Sequence, residues 1–214
     1  YALEGFPEKA IETYRALLVE HPDDENIIQR LYSTLRETDR RDEASALLKD
    51  ALTRQPDASR LLVLRAIELE EELQSAEAIA IYEALYRKYP DNVIYANNLA
   101  SMLATHREDP AEIKRAYTIA QRLNGVRNPA MLDTLGWVQY LNEETDAAVL
   151  NLQAAARGLP GNPTVAFNLA HAYAQARRTD EARAELNRGF SLANGDETVP
   201  QYSRAKELLK QLDG

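Results

Sequence analysis

Three histidines, His21, His106 and His171, and the carboxylate run Glu68-Leu69-Glu70-Glu71-Glu72 are the groups whose chemistry could turn over a substrate or hold an ion. Their spacing argues against both. A helical metal site needs ligands three or four residues apart, and no two histidines stand so. His21 and His106 fall in turns and read as solvated side chains. Paired-carboxylate catalysis needs a cleft and a raised pKa, whereas an acidic run on a helix is ordinarily a wet face. No glycine-rich phosphate loop, nucleophile elbow or His-Glu-x-x-His string occurs. With no cysteine in the chain, thiol catalysis, disulfides and thiolate metal sites are excluded. No enzymatic activity, cofactor or metal is therefore expected.

Charge narrows the partners. The formal net charge of −9 repels phosphate backbones, and the one short basic run, Arg36, Arg40 and Arg41, is broken by Glu37, Asp39 and Asp42. No nucleic-acid partner is expected. No apolar run approaches the roughly 18 residues of a membrane span, so this segment is not expected to insert in a bilayer. What remains is recognition of protein, and the question becomes which elements would present the surface.

Those elements are helical. The 214 residues are 45% hydrophobic and 28% charged, with eight glycines, nine prolines and many Ala, Leu, Glu and Arg. Pro22, Pro56 and Pro90 stand 34 apart, and Ala10, Ala44 and Ala78 precede them by twelve each. Ala148 precedes Pro160 by twelve, and Ala182 follows Ala148 by 34. Pro160 lies 70 beyond Pro90, twice 34 plus two, so a small insertion falls between them. The overlong turn Thr105 to Pro110 adds four residues and the connection Asn124 to Asn128 loses two. A fixed period of this length marks stacked helical units that bury their apolar stripes only against one another.

A 34-residue helix–turn–helix unit, small at its eighth and twentieth positions and with proline at its thirty-second, resembles the tetratricopeptide repeat. Leu132, Leu135, Gly136, Ala148, Leu152, Ala155 and Pro160 carry the pattern most fully. Leu169, Ala170, Tyr173, Ala182 and Leu186 repeat it, with Asn194 where proline belongs, and Tyr32 is a large residue at an eighth position. The resemblance implies an all-α, right-handed superhelix of eleven or so helices in stacked antiparallel pairs. The register divides one solenoid into a partial repeat 1–24, repeats 25–58, 59–92, 93–128, 129–162 and 163–196, and a capping helix 197–214. Turns are expected at Gly5, Arg40 to Asp42, Gln74-Ser75, Glu108 to Ala111, Glu143 to Thr145 and Arg177 to Thr179. Tyr1 falls at the eleventh position of a unit, which reads as a piece of a longer chain. The stripe Ile11, Tyr14, Leu17 and Leu18 is then expected to be exposed and open to self-association. Pro200 to Leu212 forms the cap, with Tyr202, Ala205, Leu208, Leu209 and Leu212 on one face and Lys206, Glu207 and Lys210 on the other.

In proteins similar to this one, the first helix of each unit lines a concave groove that binds a protein or peptide. Carried over, the candidate partner-binding residues are Asn97, Asn98 and Ser101, then Asp133, Trp137 and Tyr140, then Phe167, Asn168 and His171. Asn98 and Asn168 would hold a ligand's backbone, since an amide both donates and accepts. Trp137 and Tyr140, beside Phe167 and His171, would form an exposed aromatic anchor of the kind enriched in binding hot spots. Core packing of Trp137 and plain inter-helix bonding of the asparagines stand as alternatives. The lysine-rich carboxylate clamp of some chaperone-binding relatives has no counterpart at Asn97 and Ser101. The strings Tyr95 to Ala104 and Leu132-Asp133-Thr134-Leu135-Gly136-Trp137-Val138 resemble bacterial envelope proteins of the repeat class linked to exopolysaccharide export or exosortase-type sorting. That implies a scaffold facing the periplasm; the alternative is the targeting arm of a larger enzyme such as a glycosyltransferase or protease.

Overall fold

The computed structural model describes residues 6–106 and 109–213. Among them are twelve α-helices, one 3-10 turn and no strand. The chain divides into two compact units, Tyr1–Leu85 and Tyr86–Gly214.

The first unit holds α1 (Pro7–Glu20), α2 (Glu25–Glu37), α3 (Arg41–Arg54), α4 (Ser59–Glu71) and most of α5 (Ser75–Lys88). Asp24 caps α2 by accepting from the Asn26 and Ile27 N–H groups. Ile11, Ile28, Leu31, Leu35, Leu48 and Leu61 form a core in which Ala44 and Ala51 let the backbones approach. The expected exposure of the α1 stripe is not what the structure shows. Ile11 is 1% exposed, and Tyr14 and Leu18 pack partly buried on the same core. α1 lies against α2, so a second helix gains cover from the unit that follows it; Leu17 is exposed as expected. The Glu68–Glu72 run is also not uniformly wet. Glu68 is 4% exposed and accepts from the Tyr32 hydroxyl (3.2 Å), Ser45 Oγ (2.7 Å) and Arg65 Nη1 (3.1 Å). Burial and the Glu68 charge push the Tyr32 phenol up to about 12.

The second unit holds α6 (Val93–His106), α7 (Pro110–Ala120) with the 3-10 turn Gln121–Leu123, α8 (Pro129–Leu141), α9 (Thr145–Gly158), α10 (Pro163–Gln175), α11 (Thr179–Ala193) and α12 (Tyr202–Asp213). Asp109, Asn128 and Asn162 cap α7, α8 and α10, each with proline at the first turn, where the missing N–H costs nothing. Each first helix packs on its own second helix and on the next first helix: α6 on α7 and α8, α8 on α9 and α10, α10 on α11 and α12. Gly136 lets α8 and α9 touch, because a Cβ there would stand 2.6 Å from Leu152 Cγ and 3.2 Å from the Ala148 carbonyl oxygen.

One turn geometry recurs in both units. Asp39, Leu73, Glu143 and Arg177 take φ of 58°, 60°, 62° and 59°, and the N–H of the following residue returns to the carbonyl five back. This αL closure ends α2, α4, α8 and α10 without a glycine. The helices after these turns begin at Arg41, Ser75, Thr145 and Thr179, inside the expected turn spans. The expected turn at Gly5, and part of the one at Glu108, lie outside the described residues.

Candidate functional site

The first helices of the second unit carry all nine candidate residues. On α6, Asn97 Nδ2 donates to Asn98 Oδ1 at 3.2 Å, and Asn97 Oδ1 is buried without a partner. Asn98 and Ser101 are partly exposed. Between α8 and α10 the Asn168 amide donates to both oxygens of Asp133, at 3.1 and 3.2 Å. Gln175 Nε2 donates to the Tyr140 carbonyl at 3.3 Å one helix across. The same lateral pattern runs through the first unit, where Arg36 donates to Glu71 at 2.6 and 2.7 Å and Arg60 to Asn26. Residues 34 or 35 apart thus lock successive first helices together.

This corrects the expectation for Asn168. It is 2% exposed and its amide N–H groups are spent on Asp133, the inter-helix bonding held as the alternative, while its Oδ1 is buried without a partner. Burial pushes the Asp133 carboxyl up to about 6, with the Asn168 bond pulling it partly back. No cation pairs with Asp133 among the described residues.

The aromatic patch divides in two. Trp137 stacks on Tyr140 (centroids 4.9 Å apart, planes at 24°) and meets His171 edge-on at 5.7 Å. Phe167 instead turns toward α11 and α12, with Phe190 at 5.1 Å and Tyr202 at 5.9 Å. The cause is Gly189 on α11, whose missing Cβ leaves the space the Phe167 ring fills. Phe167 is fully buried and belongs to the core. Trp137 is 4% exposed, which corrects the expected open anchor: the packing alternative describes its ring. A glycine inside the helical run Thr179–Ala193 was the available signal for Phe167.

A group outside the sequence-derived set completes the site. Arg204 on α12 places its guanidinium 5.8 Å from the Trp137 ring centroid, and its hydrogen bond to Gln201 is long at 3.5 Å. Arg204, Glu207, Leu208 and Gln211 form one helical stripe (i, i+3, i+4, i+7) facing Trp137, Tyr140, Leu141 and His171 across a cavity of about 410 Å³. Ala104 and Ile113 complete its lining. Burial, and then the Arg204 charge, push His171 down to about 4, so the imidazole is neutral near pH 7. Among the described residues no cluster of three metal-ligating side chains occurs, and no helix is long and apolar enough to cross a membrane.

Tetratricopeptide-repeat family models match residues 63–125 and 140–199, together more than half of the chain. The chain belongs to the tetratricopeptide-repeat proteins. No curated protein matches it in sequence. Among solved structures it is similar to TTC0263, a thermophilic TPR protein of Thermus thermophilus (23% identity, TM-score 0.61, covering 85% of this chain and 98% of that one). It is also similar to YrrB, described as a TPR protein with an unusual peptide-binding site (16%, TM-score 0.58, 91% and 98%). A third is PilW, a type IV pilus biogenesis factor (16%, TM-score 0.61, 79% and 77%). At these identities the likeness is one of fold.

Proposed function

We propose that this protein is a non-catalytic scaffold that binds a segment of another protein along the first helices, with its strongest contact at α8, α10 and α12. One observation carries the reading: the cavity of about 410 Å³ between the Trp137–Tyr140–His171 wall and α12, a size in the range of ordinary ligand sites. The lateral bonds that Asn168 donates to Asp133 and Gln175 to the Tyr140 carbonyl hold its walls in place before a partner arrives, which lowers the ordering cost of binding. Asn98, whose amide N–H has no partner among the described residues, extends the surface toward α6. The peptide-binding site named for YrrB is in keeping with this reading. The resemblance of Leu132 to Val138 to bacterial envelope repeat proteins is in keeping with a scaffold of the envelope, in exopolysaccharide or sorting machinery.

Photo-crosslinking in the source cells tests the location. A benzophenone side chain at Gln211, exposed on the cavity rim, is expected to capture a partner. The same group at Leu150, exposed on the second helix α9, is expected to capture none. An adduct from Leu150 alone, or from neither position, overturns the reading.

A further inference from the structure

Resting on that reading, we infer that the cavity between α8, α10 and α12 receives an acidic side chain, aspartate or glutamate, flanked by apolar residues of the bound segment, with Arg204 as its cation. Two features converge on this chemistry. Arg204 is the only cation on the cavity wall, and no carboxylate pairs with it among the described residues. Trp137 Nε1 is buried without a hydrogen-bond partner, and an indole N–H can only donate, so it requires an acceptor. A carboxylate accepts from guanidinium and indole together, and charge-assisted bonds of this kind are short and strong.

The rest of the lining sets limits on the ligand. Ala104, Ile113, Leu141 and the aromatic rings suit apolar neighbours on either side of the acid. Glu207, one turn beyond Arg204, stands on the same wall, so a single cation is left there to offset every negative charge the ligand brings. The site therefore fits one carboxylate in an apolar context and disfavours an acidic cluster. A segment running along the first helices presents that carboxylate from a side chain and not from a chain end.

Trp137 is the one tryptophan of the chain, so its fluorescence reports on the cavity directly. The probes are acetylated, amidated peptide mixtures Gly-Φ-Asp-Φ-Gly and Gly-Φ-Asn-Φ-Gly, where Φ is an equal mixture of Leu, Ile, Val and Phe. A third mixture has Asn and a free C-terminal carboxylate. The Asp mixture is expected to change Trp137 emission and to bind about tenfold more tightly than the Asn mixture. Arg204→Gln removes that preference, and Arg204→Lys restores part of it; both are first checked for an unchanged thermal melt. Equal binding of the Asp and Asn mixtures, a preference that survives Arg204→Gln, or no response to any mixture overturns the proposal. A response to the free-carboxylate mixture alone also overturns it, in favour of a chain end. If the acid preference fails while Gln211 still crosslinks a partner, the scaffold reading stands and only the pocket chemistry falls. Loss of the Gln211 adduct as well removes both.

Discussion

A methyl group on Gly136 would press on Leu152 Cγ and the Ala148 carbonyl, so Gly136→Leu must push α8 off α9. Overpacking of this kind costs about 1–3 kcal/mol, and urea melting should show a loss of that size. Asp133 makes a prediction of the opposite sense. Its folded pKa of about 6 lies above the roughly 3.9 of an unfolded aspartate, so the native state holds a proton that the unfolded chain has released. Its contribution to stability therefore falls as pH rises from about 4 to 6 and stays lost above. His171 has its folded pKa lowered to about 4, so its contribution falls as pH drops from about 6.5, against Asp133. Asp133→Asn keeps an acceptor for Asn168 without the charge. Thermal melts should find this variant more stable than the parent at pH 7.5, with the gap closing toward pH 5. A gap constant over that range would mean Asp133 does not titrate there. The sequence singled out Asp133 and Asn168 separately, but not their bond. Side chains 35 residues apart on different helices pair only once the helices are set side by side.

The turns belong to the scale of elements. Leu73 is 87% exposed at φ 60°, a conformation that costs an L-residue with a branched side chain about 1 kcal/mol. Asparagine tolerates that region without glycine's extra unfolded-state entropy. Leu73→Asn is expected to stabilise the protein by about 0.5–1 kcal/mol, measured by thermal or urea melting; a neutral or lower midpoint would mean that Leu73 makes a compensating contact. The period of 34 located these turns to within a few residues. It could not give their closing geometry, because Leu73, Glu143 and Arg177 are ordinary helix residues and no glycine marks the αL position; only Asp39 is of a type common there. The insertion between Pro90 and Pro160 was legible as a count. Part of the long turn that was expected to hold it lies outside the described residues; after it α7 is short and ends in the 3-10 turn Gln121–Leu123.

At the scale of the whole molecule the capping helix carries the largest consequence. α12 contributes Ala205 and Leu208 to a core with Phe167, Ala170 and Leu186, and it covers Trp137 with Arg204. A chain ended after Gly195 should lose roughly 3 kcal/mol from apolar area returned to water. It should also show red-shifted Trp137 emission; an unshifted spectrum with an unchanged melt would mean α12 is dispensable. The sequence by itself determined the class of protein. Small residues at helix crossings, apolar stripes and terminal prolines are local requirements of every unit, so each repeat states them again in the one-dimensional order of the chain. Only the tertiary structure decided which candidate residues lie buried. Trp137 and Arg204 are 67 residues apart, and they meet because α12 packs on α10 and α11. Burial depends on what arrives on the far side of a residue. For Trp137 and Phe167 that was the capping helix, which the register located along the chain but could not set against particular side chains.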